Sequence, residues 1–481
     1  MINFRIIARV YSLLLIIEGL LMFLSALICY LYKGPDTKAF IYSGLITIVT
    51  GIVVFSPVRN EDRLFGKKEG YLIVTGIWVL FALFATLPFL FSGSIKNFTD
   101  AFFESMSGFT TTGATVISDV EKLSNGILFW RSMIQWVGGI GVILLSLSVL
   151  PVMKAINIQI STNEFTGQPF DKIHPKIKDT GKRLIVIYFL LTLTEAILLI
   201  AGGMPVFDAM CNSFTTLSTG GFSTHNNSLA TLSSPYVKVV VTFFMFIAGT
   251  NMTIIYFALK RNISKISSNN EFLYYVILCI VFSALASAAL FRNTGNPGNS
   301  VINGTFHVIS IITTTGFYTD NFSLWSNFLV LILFILMFTG GTAGSTSGGI
   351  KMVRLMILTK NNRLELRRQL HPNAFIPVRL DHRTIPQSIV YNVLVFVTLY
   401  FLIIIVSSLL ISFMGYDFIT SFGTSAAMLG NIGPGLGKLG PFSDYSTLPV
   451  FGKWLFSFLM LLGRLEMISV LILFSKSFYK D

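Results

Sequence analysis

The sequence predicts an all-α integral membrane protein with ten transmembrane helices. Only 12% of its 481 residues are charged and 53% are hydrophobic, whereas about a quarter of the residues in soluble domains are charged. Apolar runs long enough to cross a bilayer, about 20 residues each, recur along the whole chain. Four short segments of similar pattern separate the later runs. These observations exclude a soluble enzyme, a disordered protein and a secreted disulfide scaffold.

The first apolar run begins near the N-terminus and is expected to remain as a transmembrane helix. Arg5 and Arg9 precede it, but the run is too long for the core of a signal peptide and no clear cleavage site follows. With the other runs it gives ten predicted spans. They cover residues 8–31, 38–57, 70–92, 126–153, 184–202, 236–259, 272–291, 324–358, 388–413 and 448–474.

The basic residues predict the orientation of these spans. If the N-terminus lies in the cytoplasm, 25 of the 35 lysines and arginines fall in the inner segments, as the positive-inside rule requires. Many of them lie in loops 154–183 and 360–383, which are long enough to dock a partner, and others, such as Arg59 and Arg63, lie between the first spans. Both termini are therefore expected to be cytoplasmic. The net charge of +13 is attributed to this topology, and no nucleic-acid partner is expected.

After the first two spans, the chain repeats one unit four times: an outgoing helix, a short outer segment and a returning helix. Every short segment reads Asp or Asn, twelve further residues, then Gly. The segments are 100–113, 208–221, 303–316 and 417–430, and they begin with Asp100, Asp208, Asn303 and Asp417. The predicted domains are a two-helix N-terminal extension at 1–68 and four pore repeats at 69–160, 161–262, 263–362 and 363–481.

Each short segment predicts a helix that enters the membrane only partway. Asp and Asn are strong N-caps, and eleven residues at about 1.5 Å each give roughly 16 Å, half of a hydrocarbon core of about 30 Å. The chain must then turn back, and irregular backbone at that depth is tolerated only where it is buried or lines a watery cavity. The helix C-termini carry partial negative charge, which favours a cation. We therefore expect a pseudo-fourfold pore whose glycine turns present a ring of oxygen ligands.

The candidate filter residues are the turn glycines and their neighbours. They are Thr111, Thr112, Gly113, Thr219, Gly220, Gly221, Thr314, Thr315, Gly316, Leu429, Gly430, Asn431 and Ile432. A single turn of this kind is usually a solvated loop, but four at the same place in each repeat favour a pore. The fourth turn differs, because Met428 and Leu429 replace the threonines and leave only backbone carbonyls as ligands.

The predicted span 324–358 contains ten consecutive Gly, Ser, Thr and Ala residues between Thr339 and Ile350. Such a run weakens a helix, since each glycine costs about 1 kcal/mol relative to alanine. Tight helix packing is the alternative, but it requires small residues on one face only. We expect an unwound segment that lines the cavity below the filter and forms a gate. The candidate gate residues are Gly340, Gly341, Gly344, Ser345, Gly348, Gly349 and Arg464.

Arg464 is predicted to lie deep inside the span 448–474, where an unpaired charge costs at least about 2.5 kcal/mol. Glu466 is only two residues away and faces another side of a helix, so it is a poor sole partner. Carbonyl oxygens of residues 339–350 are the expected partners. A positive charge below the filter would also raise the barrier to cations. The alternative is a structural arginine that pairs with a distant helix.

Four helix–loop–helix units with these motifs resemble the Trk/Ktr/HKT superfamily of potassium-translocating proteins. The two extra N-terminal spans make the chain similar to the bacterial TrkH/TrkG branch rather than to KtrB. The segments that carry the resemblance are GFTTTGATVI (108–117), LSTGGFSTHNNS (217–228), TTTGFYTDNF (313–322), LGNIGPGLG (429–437), TGGTAGSTSGGIKMVR (339–354) and GRLEM (463–467).

The resemblance implies a gated, channel-like pore for potassium uptake in the bacterial inner membrane, with an intramembrane gating loop. The filter glycines it implies are Gly113, Gly221, Gly316 and Gly430. It also implies a homodimer and a separate cytosolic nucleotide-binding regulatory subunit similar to TrkA. K+ is expected only as the transported ion at the filter, and no cofactor is expected in the chain. Because each turn has one central glycine, we expect moderate discrimination between K+ and Na+.

Two other classes of function are weighed against this one. A Na+- or H+-coupled secondary transporter of K+ or another small solute usually contains inverted repeats and paired broken helices. Here all four units run the same way, and only one helix is expected to be strongly broken. A membrane-embedded enzyme is excluded, since no cluster of acid–base or metal-ligating residues is visible. Glu18 and Glu195, the two candidate proton carriers within spans, are expected to form interhelical hydrogen bonds instead.

Overall fold

The computed structural model describes residues 2–58, 66–154, 177–231, 234–374, 376–381 and 383–479. The predicted domain boundary at 160/161, most of the basic loop 154–183, and the loop arginines Arg59 and Arg63 lie outside the described residues.

The described chain is nearly all helical, as predicted. In chain order the helices are α1 (Phe4–Leu31), α2 (Thr37–Phe55), α3 (Lys67–Ser92), α4 (Phe98–Phe109), α5 (Asn125–Lys154), α6 (Ile177–Ala201), α7 (Val206–Leu217), α8 (Pro235–Ala248), α9 (Met252–Leu259), α10 (Ile263–Ser267), α11 (Asn270–Thr294), α12 (Pro297–Ile312), α13 (Asn327–Leu336), α14 (Met352–Leu370), α15 (Gln387–Phe413), α16 (Phe418–Gly430), α17 (Val450–Arg464), α18 (Ile468–Leu471) and α19 (Lys476–Tyr479). A short antiparallel ribbon, β1 (Arg379–Leu380) and β2 (Arg383–Thr384), follows α14.

Seven helices in the described residues are long and apolar enough to cross a membrane: α1, α2, α3, α5, α6, α11 and α15. Two bent pairs, α8–α9 and α17–α18, bring the number to nine. Large apolar side chains cover the outward faces of these helices; for example, Leu409 is 66% exposed and Phe413 is 93% exposed. Contiguous apolar surface on this scale marks contact with lipid rather than water, so the chain is a multi-pass membrane protein.

Three of the predicted spans are broken, so the expectation of a single broken helix is wrong. Helices α8 and α9 meet at 110°, α17 and α18 meet at 112°, and residues 337–351 separate α13 from α14. At the α17–α18 break, Glu466 and Met467 have φ angles of 58° and 48°, which no α-helix accommodates. Arg464 therefore ends α17 and does not lie in the middle of a continuous span.

The four short helices predicted from the repeats are α4, α7, α12 and α16, and their side chains are mostly buried. Their predicted N-cap is correct only in α16, where the Asp417 side chain accepts a bond from a first-turn amide. Asp100 and Asp208 lie inside the first turns of α4 and α7. Asn303 lies well inside α12, because that helix already starts at Pro297, a residue whose fixed φ suits the first helical position.

Candidate functional site

The four turns that follow α4, α7, α12 and α16 share one backbone conformation. In each turn, a non-glycine residue with positive φ is followed two positions later by a glycine with positive φ. The pairs are Thr111 and Gly113 (51° and 83°), Thr219 and Gly221 (54° and 74°), Thr314 and Gly316 (57° and 78°), and Asn431 and Gly433 (54° and 96°). Non-glycine residues in the left-handed region are uncommon, so the repeated pair indicates four equivalent turns.

The fourth turn is centred on Gly433 rather than on Gly430, where the sequence pattern placed it. Gly430 is the last residue of α16, and Leu429 also lies in that helix. Asp417 caps α16 from outside, whereas Asp100 lies inside the first turn of α4. The gapless alignment is therefore offset by three residues in the fourth repeat, and Ile432 takes the place that Thr112 has in the first.

The four turn glycines pack against one another in a closed ring. A β-carbon on Gly113 would overlap the carbonyl oxygen of Gly220, the residue before the second turn glycine. The same relation holds between each of the other turns and the next, and the fourth returns to the first. The overlapping pairs are Gly221 with Thr315 O, Gly316 with Ile432 O, and Gly433 with Thr112 O. Only glycine fits these positions, and four backbones meet around one axis.

All four turn glycines also line one small cavity of about 50 Å³. Gly113, Gly221, Gly316 and Gly433 bound it together with residues that follow each turn, whereas Gly430 does not line it. The structure thus brings Gly113, Gly221 and Gly316 together at one cavity, where Gly433 takes the place predicted for Gly430.

The threonine hydroxyls of the turns mostly bond to protein atoms. Thr112 Oγ1 lies 2.8 Å from Thr110 Oγ1 and accepts a 2.9 Å bond from Asn431 Nδ2. Thr315 Oγ1 lies 2.8 Å from Thr313 Oγ1 in the same way. Of these bonds, only the one from Asn431 to Thr112 joins two turns, and the buried Thr111 Oγ1 has no hydrogen-bond partner among the described residues. The oxygens that remain for an ion are therefore the backbone carbonyls and the Thr111 hydroxyl.

Gln135 on α5 holds the second turn from the side, and sequence analysis did not identify it. Its Nε2 donates to Gly220 O at 2.7 Å, and its Oε1 accepts from Phe222 N at 3.1 Å. The side chain therefore fixes the backbone on both sides of Gly221. The one feature of the sequence that could have identified Gln135 is its polar side chain within the mainly apolar helix α5.

A buried ion pair supports the first turn from behind. Glu104 on α4 accepts bonds from Val116 N at 3.0 Å, Thr115 Oγ1 at 3.0 Å and Arg131 Nε at 2.9 Å. Arg131 also donates to Ser223 O at 3.2 Å, beyond the second turn. Glu104 and Arg131 are 0% and 2% exposed. This pair connects the chain segments that follow two of the four turns.

His307 takes the equivalent position behind the third turn. Like Glu104, it lies nine residues before its turn glycine, and its ring accepts a bond from the amide three residues after that glycine, Thr319 N, at 3.4 Å. Its Nδ1 lies 2.8 Å from Asn303 O, an arrangement that fits a neutral ring protonated at Nδ1. The first and third repeats therefore use different residues for the same support.

Replacing Glu104 with alanine is expected to lower the free energy of unfolding by about 3–5 kcal/mol, because Arg131 stays buried without its carboxylate partner. The unfolding midpoint of the purified protein in detergent measures the effect. Glu365→Ala is the matched control, since Glu365 pairs with Arg368 but is 52% exposed, and such a pair contributes about 1 kcal/mol or less. Similar small shifts in both variants would contradict a structural role for the buried pair.

The unwound segment 337–351 packs directly against the turns. Gly348 N donates to Thr314 Oγ1 at 2.7 Å, and a β-carbon on Gly348 would overlap Gly430 O. Thr346 Oγ1 lies 3.1 Å from Leu217 O at the end of α7. The segment therefore covers the C-terminal ends of the short helices, where an ion that has passed the turns would emerge.

Two glycines with positive φ and several hydrogen bonds within the segment stabilise its folded shape. Gly344 and Gly349 have φ angles of 79° and 64°, Gly340 N donates to Ile350 O at 2.9 Å, and Ser345 Oγ lies 2.8 Å from Ser347 Oγ. Gly341 N donates to the hydroxyl of Ser347 at 2.9 Å. All the predicted gate glycines thus lie in one compact loop.

Glu271, at the start of α11, joins the middle of this loop to the first turn of α14. One carboxylate oxygen accepts from Ala343 N at 2.6 Å and from Val353 N at 3.1 Å. The side chain is 3% exposed. Sequence analysis did not identify this anchor, because the two amides carry no sequence signal.

Arg464 donates to Thr346 O of the loop at 2.6 Å, which confirms the expected carbonyl partner. Its other terminal nitrogen lies 3.4 Å from Gly138 O on α5. Glu466 does not pair with it, but instead forms an ion pair with Arg354 in the first turn of α14. The end of α17 is therefore bonded both to the loop and to the helix after it.

His225 lies at the cavity lined by the turn glycines, between two carboxylates. Its Nε2 is 3.6 Å from Asp208 Oδ2 and its Nδ1 is 3.5 Å from Glu121 Oε1. The interaction with Asp208 is the main cause that raises the pKa of His225. As the pH falls, His225 therefore becomes protonated, and adds positive charge at this mouth of the cavity, at a higher pH than a histidine free in water does.

The hydrogen bonds expected for Glu18 are not found. Both of its carboxylate oxygens are buried, and they accept no hydrogen bond from the described residues. The hydrogen bond expected for Glu195 is not found either: both of its carboxylate oxygens are buried without a partner among the described residues, and the Thr216 hydroxyl donates to Asn212 O instead. Among the described residues, no group of three or more His, Cys, Asp or Glu side chains is arranged to hold a metal ion.

Comparison with known proteins gives concordant matches. A family model described as TrkH, cation transport protein, matches residues 36–277 and 275–481. The Trk system potassium uptake protein TrkH of Salmonella typhimurium is 36% identical over the full length of both chains. TrkG of Escherichia coli is 31% identical over 99% of each chain. The crystal structure of the potassium transporter TrkH from Vibrio parahaemolyticus superimposes with a TM-score of 0.91 at 32% identity, covering 100% of both chains.

Proposed function

This chain belongs to the TrkH family of cation transport proteins and takes up potassium, and we propose that the ion crosses the membrane through the ring of four turns. The observation that carries the proposal is the closed ring in which each turn glycine packs against the carbonyl of the next turn. Four backbones held that closely can surround a single dehydrated ion.

The proposed architecture has ten spans in the inner membrane of a bacterium, with both termini in the cytoplasm. Four helix–pore loop–helix units, at residues 69–160, 161–262, 263–362 and 363–481, surround the pore. The two helices of the extension at 1–68 pack outside them. The equivalent backbone of the four turns supports the fourfold repeat, and the inner excess of basic residues supports the orientation.

The proposed ligands are the backbone carbonyl oxygens on either side of the turn glycines. Thr112, Gly220, Thr315 and Ile432 precede those glycines and supply one layer of carbonyls. Gly220 O also accepts a bond from Gln135 Nε2, which leaves its second lone pair for the ion. The C-terminal ends of α4, α7, α12 and α16 point partial negative charge towards the same region. One glycine per turn gives few ordered layers, so K+ is preferred over Na+ only moderately.

The proposed gate is the loop 337–351 together with Arg464. The loop lies under the turns, and Arg464 holds it there by donating a hydrogen bond to Thr346 O. Opening requires the loop to leave this position. The loop consists mainly of Gly, Ser and Thr between Thr339 and Ile350. This composition supports such movement, because small side chains do not hold the loop in one packing arrangement.

Growth of a potassium-uptake-deficient bacterium on low K+, with and without this chain, tests the proposed function. Flux of K+ and Na+ into liposomes containing the purified protein then tests the mechanism. Passive flux that follows the K+ gradient, with a modest preference over Na+, is expected. A strict requirement for a Na+ or H+ gradient would instead support a coupled secondary transporter, and no growth at all would overturn the proposal.

Alanine substitutions test whether Gly433 or Gly430 is the glycine of the fourth turn. Gly433→Ala is expected to reduce K+ uptake at least about tenfold, because a residue with φ of 96° and a β-carbon against Thr112 O strains the turn by about 1–3 kcal/mol. Gly430→Ala is the matched control, since Gly430 is helical and its nearest neighbour would be Met337 O at 3.1 Å. Uptake is measured at equal expression. A greater loss in Gly430→Ala would restore the alignment made from sequence.

We also propose that two copies of the chain form a homodimer, and that a separate cytosolic nucleotide-binding subunit similar to TrkA regulates the pore. The family relationship supports both proposals. Mass measurement of the purified protein in detergent tests the dimer. Co-purification with a candidate subunit, with and without nucleotide, tests the second proposal.

A further inference from the structure

A groove of about 560 Å³ lies between α6 and α9, away from the turns and the gate. Lys182 and Arg183 come from the first turns of α6, and Lys260 follows the last residue of α9. The groove thus lies at one end of the membrane-spanning helix α6 and beside α9, which is bent by 110° relative to α8.

The groove combines three cations with an apolar floor. Val186 and Ile187 of α6 and Leu259 of α9 form the floor. Val186 and Leu259 are 49% and 64% exposed. In the part of the chain that the structure describes, no carboxylate pairs with Lys182, Arg183 or Lys260. Three unpaired cations around exposed apolar surface match a ligand that is anionic at one end and apolar at the other.

Tyr256 arranges two of these cations. Its hydroxyl accepts a bond from Arg183 Nη1 at 3.1 Å, and Lys260 Nζ lies 4.9 Å from the centre of its ring. This contact uses only one of the five N–H groups of Arg183, so the others remain available for an anion. Arginine binds phosphate through two such donors at once.

We propose that this groove binds an anionic phospholipid, with the headgroup phosphate among Lys182, Arg183 and Lys260 and an acyl chain along Val186, Ile187 and Leu259. Basic pockets between helices at a membrane surface bind such headgroups. Topology alone requires positive charge on this side but no convergence on one groove. A free phosphate ion can bind the three cations in the same way, but it has no apolar part to contact the floor of the groove.

The groove does not touch the gate loop, but the break before α9 does. The other end of α9 follows the break at 249–251, where Gly249 O accepts a 2.9 Å bond from Thr342 N of the loop 337–351. Ala248 O accepts a bond from Thr346 Oγ1 at 3.1 Å. A lipid that holds α9 against α6 therefore contacts the helix that directly follows the break where the gate loop is bonded.

Lipid binding to the full-length, delipidated protein in neutral detergent tests the proposal. Phosphatidylglycerol is expected to raise the thermal unfolding midpoint, whereas phosphatidylcholine and inorganic phosphate leave it unchanged. Lys182→Gln and Arg183→Gln are each expected to weaken phosphatidylglycerol binding about fivefold. Lys182→Gln removes a charge without breaking a described contact, so its result does not depend on altered folding.

Arg363→Gln is the matched control, because Arg363 is an exposed arginine on α14 that does not line the groove. It is expected to bind phosphatidylglycerol as the unmodified protein does. Equal binding by Lys182→Gln and Arg363→Gln would overturn the proposal. An equal effect of phosphatidylcholine, or of inorganic phosphate alone, would also overturn it, since the occupant would then not be an anionic lipid.

Discussion

Gly316→Ala is expected to reduce potassium uptake at least about tenfold, which is the largest loss we expect from adding a single methyl group. Gly316 has a φ of 78°, and a β-carbon there would overlap Ile432 O more closely than in any of the other three turns. Both atoms belong to backbone, so neither can move without displacing a proposed ion ligand. Strain of this kind costs about 1–3 kcal/mol. In addition, carbonyls that are displaced from the ring can no longer bind the ion. Rubidium or potassium uptake at matched expression measures the effect.

Gly93→Ala is the control for this variant. Gly93 also has a positive φ, 72°, but no atom lies within 4 Å of the position of a β-carbon. Alanine there carries the same backbone strain without an overlap, so a modest loss of stability with normal uptake is expected. If Gly316→Ala transports as well as Gly93→Ala, the ring of turns is not the ion pathway.

Arg464→Ala is expected to raise ion flux about tenfold or more. The variant loses the bond to Thr346 O that holds the loop under the turns, and it removes a positive charge from the proposed ion path. A hydrogen bond to a charged group contributes about 1.5–3 kcal/mol, so its loss shifts a closed–open equilibrium by one to two orders of magnitude. Flux into liposomes, or current across a planar bilayer, measures the change.

Arg464→Lys separates the two effects of that residue. Lysine keeps the charge but has no planar guanidinium that spans Thr346 O and Gly138 O. Low flux in the lysine variant together with high flux in the alanine variant indicates that charge closes the pore. High flux in both indicates that the bond to the loop does. Unchanged or lower flux in a well-expressed Arg464→Ala protein would contradict the proposed gate.

Several features followed from the sequence because they depend on local composition and on the thickness of a bilayer. A 12% share of charged residues and repeated apolar runs sufficed for an all-helical membrane protein. The run between Thr339 and Ile350 could not remain helical, and the structure is unwound there. The first three turns share Thr-x-Gly, so Gly113, Gly221 and Gly316 were recognised together.

The remaining features depend on contacts between residues far apart in the chain. Bends after Ala248 and Arg464 interrupt apolar stretches whose composition favours continuous helices. The partners of Glu104 and Glu271 are amides and an arginine from other segments.

The fourth turn shows most clearly what the sequence determined and what it left to the tertiary structure. Its sequence contains Gly430 and Gly433, and local pattern alone favoured the first. The Asn431 side chain reaches Thr112, 319 residues away, at 2.9 Å, and Gly433 fits against Thr112 O to close the ring. Local pattern determined that four turns exist, whereas packing between the first and last repeats determined which glycine completes them.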